Sequence, residues 1–491
     1  MRRIRPVAIL TSAIAFALTA TPAFGGVFSV APLVLVSGPS PFATCTVGGP
    51  GTIYVNAEVE PWVAVNPVNP LNIIGVYQQD RWSNGGAHGL VTATSHDGGQ
   101  TWTRTWAHFS TCSGGTPANG GDFDRASDPW VTFARNGDAY QISLSASADL
   151  LTSAILVSKS ADGGDTWSEP KTLIRETTAF HFNDKESITA DPQNANNVYA
   201  VWDRSRKPGE NASVNALHSF AFRGDIMFSR TIDGGQTWSV PRDILSRNKN
   251  EFTIGNQIAV LPNGDLVDVF ERLNGSGVQP SPNQFTEAVI ISHDKGLTWS
   301  EPIDIALDRS VAVIDPDTGS ALRTGAGLPD IAVDSLTGAL YVVWSDSRFS
   351  GGARDDVAAS RSTDGGHTWS APVKVNRTPV PVPAFTPSVE VAADGSVGVT
   401  YYDFRNNDPA AGLPTDYWLV HSHDSGMTWS DEVRITQVSF DEETAPVSRG
   451  YFIGDYEGLA SIGNAFVPFF IATNSGDLSN RTDAFATTVG P

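Results

Sequence analysis

The chain has 491 residues, among them 46 Gly, 31 Pro, 13 Trp and 2 Cys, with a formal net charge of −21. Hydrophobic residues make up 40% of it and aromatics 10%, which supplies a large core and excludes intrinsic disorder. The acidic balance excludes the basic stripe of a nucleic-acid binder, and two cysteines cannot build a disulfide scaffold or a cysteine zinc site.

In chain order, residues 1–25 read as a secretory signal peptide. Arg2, Arg3 and Arg5 precede an apolar run from Val7 to Ala20, and Ala23 and Gly25 offer a small-residue cleavage site. Losing three arginines and no acid takes the charge from −21 to −24 (−21 − 3). No later run is long and apolar enough for a membrane span, so export as a soluble protein, secreted or in the cell envelope, is the expectation. The remainder, residues 26–491, opens with a strand pattern, FSVAPLVLV (Phe28–Val36).

An octamer then recurs six times: SHDGGQTW (Ser95–Trp102), SADGGDTW (Ser160–Trp167), TIDGGQTW (Thr231–Trp238), SHDKGLTW (Ser292–Trp299), STDGGHTW (Ser362–Trp369) and SHDSGMTW (Ser422–Trp429). Its aspartates, Asp97, Asp162, Asp233, Asp294, Asp364 and Asp424, stand 65, 71, 61, 70 and 60 residues apart. Length alone suggests about three domains, but a repeat at this period points to one array of similar units. Turn residues mark a hairpin in each unit, at Val68–Pro70, Asn136–Asp138, Ala195–Asn197, Asn263–Asp265, Thr337–Gly338, Asp394–Ser396 and Gly463–Asn464. The last unit has no octamer and no fourth strand. Phe28–Val36 resembles the segments after the octamers, such as Trp299–Ile305, and is expected to supply the missing strand. About 465 mature residues at about 65 each give about seven units.

The octamer resembles the Asp-box (bacterial neuraminidase) repeat of sialidases and related β-propellers. The resemblance implies an all-β, seven-bladed β-propeller in one domain, with the six-bladed sialidase propeller as the alternative. Chemically, the Asp can accept backbone N–H bonds in a tight turn, Gly supplies a positive φ, and Trp packs between sheets. These aspartates therefore read as structural, and in the family the box lies away from the active-site face. Cys45 follows the closing strand and Cys112 the fourth strand of the first full unit; a disulfide is expected there, with two free thiols as the alternative.

Candidate chemistry lies at the ends of the second strands, where five hexamers end in arginine: VYQQDR (Arg81), VWDRSR (Arg206), VDVFER (Arg272), VWSDSR (Arg348) and TYYDFR (Arg405). Acids begin the first strands on the same face: Glu58 and Glu60, Asp124 and Asp128, Asp184 and Glu186, Asp330, Glu390, Asp455 and Glu457. Two readings are open: each arginine locks its own blade through an ion pair, or a subset converges on an anionic sugar, whose carboxylate suits the planar guanidinium fork. Sialidases use three arginines, a Tyr/Glu nucleophile pair and an acid. The resemblance thus nominates Arg81, Arg272 and Arg348, with Arg206 and Arg405, for substrate; Tyr401 or Tyr402 with Glu271 as nucleophile pair; and Asp80 or Asp128 as acid. The Phe/Tyr-Arg-Ile-Pro signature of sialidases is absent, its place taken by EPWVAV (Glu60–Val65). DPDTG (Asp315–Gly319) reads as a turn, and neither metal nor cofactor is expected. The function implied is glycan recognition by a monomer, either as an exo-glycosidase of the sialidase type or as a non-catalytic glycan- or protein-binding propeller. Asn211, Asn274, Asn376 and Asn480 head glycosylation sequons.

Overall fold

Antiparallel four-stranded sheets repeat along the chain, in the computed structural model that describes residues 28–178, 180–207, 209, 223–245, 251–274, 285–408 and 410–491. The signal-peptide residues 1–25 and Asn211 lie outside the described residues. Strands account for 48% of the structure and helical turns for 2%.

The first sheet runs Ile53–Val65, Ile73–Trp82, Ala87–Ser95 and Thr103–Thr105. The second runs Arg125–Phe133, Ala139–Ala146, Ser153–Ser160 and Lys171–Glu176. His181–Ala190, Val198–Arg206, Arg223–Thr231 and Arg242–Asp243 make the third. The fourth is Glu251–Val260, Leu266–Asn274, Phe285–Ser292 and Ile303–Leu307. Asp330–Val333, Leu340–Asp346, Asp356–Ser362 and Val373–Lys374 form the fifth. The sixth is Ala384–Val391, Val397–Asp403, Pro414–Ser422 and Val433–Arg434. Each sequence-predicted turn falls between the first and second strand of a sheet.

The last sheet holds Gly458–Ile462, Ala465–Thr473 and Thr482–Ala486. Its outer position is filled from the N-terminus: Val34–Leu35 lies antiparallel on Thr482–Ala486, and Ser29–Val30 pairs with Val489–Gly490. The first strand of each sheet packs beside the first strand of the next, and Gly458–Ile462 packs back against Ile53–Val65.

Packing between sheets explains the apolar runs. Second strands such as Val198–Trp202 and Leu340–Trp344 are buried on both faces, and Trp202 and Trp344 are wholly inaccessible. The octamer tryptophans pack on the preceding sheet: the Trp102 ring lies 5.8 Å from Phe469 and that of Trp299 5.5 Å from Phe228. Each octamer closes the turn from third to fourth strand in one way. In the fifth sheet, the Ser362 hydroxyl donates to Asp364 (2.8 Å) and accepts from the Gly366 amide (2.9 Å), while the Thr368 hydroxyl and amide donate to Asp364 (2.6 and 2.9 Å). The Gly366 φ of 91° is one that residues with a Cβ resist.

The segment after Val34–Leu35 is strapped across the first two sheets. Cys45 and Cys112 are joined in a disulfide with Cα atoms 5.6 Å apart. Buried Arg125 donates to the carbonyls of Gly48 (2.9 Å) and Pro50 (3.0 Å), and Arg104 to that of Gly38 (2.8 Å).

Candidate functional site

First strands begin, and second strands end, at the sheet end opposite the octamers. There the first strands share a feature absent from any local motif. Glu60, Asp128, Lys185, Gly255 and Thr386 all take left-handed backbone, with φ of 53°, 50°, 48°, 80° and 49°. Each sits at a break in register with the second strand. Such bulges re-aim a side chain, and four of these five residues carry the cost of a Cβ in that region, a strain that clusters at functional sites.

Three of the re-aimed side chains, those of Glu60, Asp128 and Lys185, meet in one charged cluster. Lys185 Nζ lies 3.0 Å from Glu60, 3.0 Å from Asp128 and 2.9 Å from Asp455. Arg323 grips Asp455 with two nitrogens, its Nε at 2.9 Å. Arg81 stands 3.7 Å from Glu60, and the guanidinium groups of Arg81 and Arg323 lie over the Phe452 ring at 4.7 and 4.1 Å. Both also reach the Ser448 hydroxyl, at 3.5 and 3.4 Å. The next residue, Arg449 (φ 66°), is exposed and has no hydrogen-bond or ion-pair partner among the described residues.

Burial and charge divide these groups. Burial lifts Glu60 to about 7 against the pull of Lys185, and lifts Asp184 to about 6 with help from the Asp128 charge. For Asp455, burial is overcome by Arg323 and Lys185, which hold it well below the usual carboxylate range. Arg449 is lowered, chiefly by the repulsion of Arg323. Beside the charges, a cavity of about 30 Å³, room for one or two waters, is walled by Trp62, Trp130, Lys185 and Tyr456. The Trp62 and Trp130 rings stack at 3.4 Å, and the Tyr456 hydroxyl is buried without a hydrogen-bond partner.

Of the residues nominated from sequence, Arg81 and Asp128 lie in this cluster. Asp80 instead anchors the strap, accepting from the Ser40 hydroxyl (2.7 Å), the Asn56 amide (2.9 Å) and His88 (3.0 Å). Four arginines are paired within their own sheets: Arg206 with Asp225 (2.5 Å), Arg272 with Asp304 (2.7 Å), Arg348 with Asp346 (2.6 Å) and Arg405 with Asp403 (2.5 Å). The Tyr401 hydroxyl donates to Glu432, and that of Tyr402 donates to the Ile471 carbonyl (2.8 Å) in the core between the sixth and last sheets. Glu271 faces Glu287 on the neighbouring strand of the fourth sheet. Neither tyrosine has Arg81 or Asp128 among its partners. The sequon residue Asn376 is 3% exposed, its amide donating to Asp356 (3.1 Å).

Sequence reasoning missed Lys185, Arg323, Arg449 and Tyr456. Two signals were present: Lys185 and Tyr456 each sit between two nominated acids, and Glu60-Pro61-Trp62 aligns with Asp128-Pro129-Trp130. Arg323 and Arg449 come from loops that no other unit repeats.

No protein-family model and no curated protein matches the chain. Similar solved structures include a Hadza microbial sialidase, Hz136, with 16% identity and a TM-score of 0.49 over 86% of this chain and 74% of that one. A Penicillium chrysogenum alpha-L-arabinanase complexed with arabinobiose shows 12% identity and a TM-score of 0.47 over 93% and 98%. A leech intramolecular trans-sialidase shows 11% identity and a TM-score of 0.45 over 89% and 92%. Likenesses this distant leave the reading of the site to the chain's own residues. No helix among the described residues is long and apolar enough to cross a membrane.

Proposed function

We propose that the chain is an exported, monomeric, single-domain seven-bladed β-propeller of the Asp-box kind, and that it recognises an anionic glycan at the mouth around Asp455. The ring reading is supported by the return of Gly458–Ile462 onto Ile53–Val65 and by the N-terminal strand in the last sheet. The ligand reading is carried by Arg449, an exposed guanidinium without a partner among the described residues, near Arg323, which Asp455 and Phe452 already orient. A cation held against the repulsion of Arg323 is relieved by an arriving carboxylate, which a guanidinium binds through paired, planar hydrogen bonds.

A second reading, hydrolysis of a glycosidic bond in the exo-sialidase manner, is favoured by Glu60 and Asp184. Burial raises both carboxyls toward neutrality, and Glu60, at about 7, is the one part-protonated near neutral pH, as a general acid must be. Tyr456, rather than Tyr401 or Tyr402, is then the tyrosine beside them.

The test is calorimetric titration with 3′-sialyllactose against neutral lactose. Wild type binds the acidic sugar selectively, Arg449→Ala weakens it by about 10-fold or more, the 1.5–3 kcal/mol of a charged hydrogen bond, and Arg348→Ala leaves it unchanged. Equal affinity for both sugars, or an undiminished Arg449→Ala, overturns the proposal. Turnover of a fluorogenic sialoside that disappears in Glu60→Gln selects the hydrolase; retained binding without turnover selects the binding module.

A further inference from the structure

Away from the mouth cluster, the fourth sheet holds three gathered acids, of which Glu271 and Asp308 share a hydrogen bond while Glu287 has none among the described residues. Glu271 and Glu287 are directly opposite on adjacent strands, a pairing that like charges disfavour. Asp308, just after the fourth strand, completes a group in which one oxygen from each residue lies within 4.8 Å of the others. Glu287 is wholly inaccessible, and neither of its carboxylate oxygens has a hydrogen-bond partner. Polar oxygens left without a partner in the interior are costly, and a ligand that met them would remove that cost. The nearby guanidinium, Arg348, is already paired to Asp346 at 2.6 Å. Asp308, 4% exposed, is held in place by the Ser310 amide (2.7 Å) and hydroxyl (2.9 Å).

On the Gly327 side, the wall of the cluster is close. A Cβ on Gly327 would fall 2.6 Å from an Asp308 oxygen, so the backbone of Gly327 comes close to the carboxylate. Asp308 and Gly327 stand near the two ends of the segment that links the fourth and fifth sheets and carries Arg323 to the mouth.

We propose that Glu271, Glu287 and Asp308 bind a calcium ion at the base of this segment. An all-carboxylate set suits a hard cation and not zinc, which favours nitrogen and sulfur. Ca²⁺ takes 6–8 oxygens in flexible geometry, so three come from these residues and water or backbone carbonyls complete the shell. Mg²⁺, which dehydrates reluctantly and demands near-ideal octahedral geometry, fits a buried cluster less well. The ion neutralises the opposed glutamates and pins the start of the Arg323 segment against its end. This assignment is independent of the glycan reading.

The experiment uses the full chain stripped with EDTA, then titrated calorimetrically with CaCl₂ and separately with MgCl₂ near neutral pH, with the melting temperature followed in parallel. One calcium binds per chain, with a saturable rise in Tm and weaker binding of magnesium. Glu287→Gln weakens calcium by about 10-fold or more, while its Tm in EDTA stays close to that of wild type because the amide keeps the shape of the carboxyl. Asp431→Asn, a fully exposed carboxylate elsewhere, binds calcium as wild type does. Should Glu287→Gln fail to fold, Asp308→Asn serves in its place, and the wild-type stoichiometry decides by itself. Wild type that takes up no calcium, shows no Tm change between EDTA and CaCl₂, or binds magnesium at least as tightly overturns the proposal, as does a Glu287→Gln protein with unchanged calcium affinity.

Discussion

The octamer aspartates and the carboxylates of the sheet interiors are the same chemistry in opposite surroundings. Asp97, Asp233 and Asp364 sit in exposed turns, where the hydroxyls of Thr101, Thr237 and Thr368 hold them at about 2. Burial instead raises Asp203, Asp355, Glu390 and Glu442 to about 8. The difference teaches that surroundings and not recurrence set the titration: exposed turn hydroxyls hold the octamer acids low, whereas burial raises interior acids, Asp203 of the VWDRSR hexamer among them.

The contrast is broken most strongly by pH. A folded value near 8 above an unfolded value near 4 means that the folded chain binds more protons. That stability is complete below about pH 4 and is lost as pH rises through about 8. The turn aspartates act in reverse, contributing above about pH 4 and losing their contribution as pH falls toward 2. The melting temperature is therefore expected to peak on the acid side of neutrality and to decline steadily toward pH 9; a Tm flat from pH 5 to 9 would contradict the burial account. Next in size, Asp455→Ala strips Lys185 and Arg323 of a shared partner and costs roughly 3–5 kcal/mol in denaturant unfolding, the price of leaving buried charge unpaired. A loss no larger than that of a surface substitution would mean that the cluster is well solvated. In an octamer, Ser362→Ala removes one hydroxyl from a turn and costs roughly 1–2 kcal/mol, with sugar binding unchanged. Smallest of all, Arg449→Ala changes stability by no more than about 0.5 kcal/mol, so any loss of glycan affinity in that variant reflects the ligand and not the fold.

Much of the frame was legible because its signals are local. A turn aspartate, a positive-φ glycine two residues on and a tryptophan five residues on form a contiguous unit, and Phe28–Val36 matches the segments after the octamers in sequence alone. The arginine hexamers were legible as a repeat, but four of those arginines find their acids within their own sheets, at contacts set by register. The mouth was half legible. Glu60, Asp128 and Asp455 stood out at the starts of first strands, but Arg323 and Arg449 reach them from loops of unrelated sequence. What brings them together is the side-by-side packing of first strands that are far apart in sequence, which no window of sequence contains.

The pairing of Ser29 with Gly490 and of Val34 with Ala486 has a consequence for how the chain comes to be folded. Synthesised from its N-terminus, the chain must keep Val34–Leu35 waiting until Thr482–Ala486 has been made. The Cys45–Cys112 link, spanning 67 residues, becomes available as soon as the first sheet exists and keeps the waiting segment within reach. Because Ser29 and Gly490 pair side by side, a short linker from Gly490 to Ser29 and a cut at the exposed Gly351–Gly352 turn would give a circular permutant whose last sheet forms from contiguous sequence. Such a permutant is expected to refold faster than the natural order while keeping the same mouth.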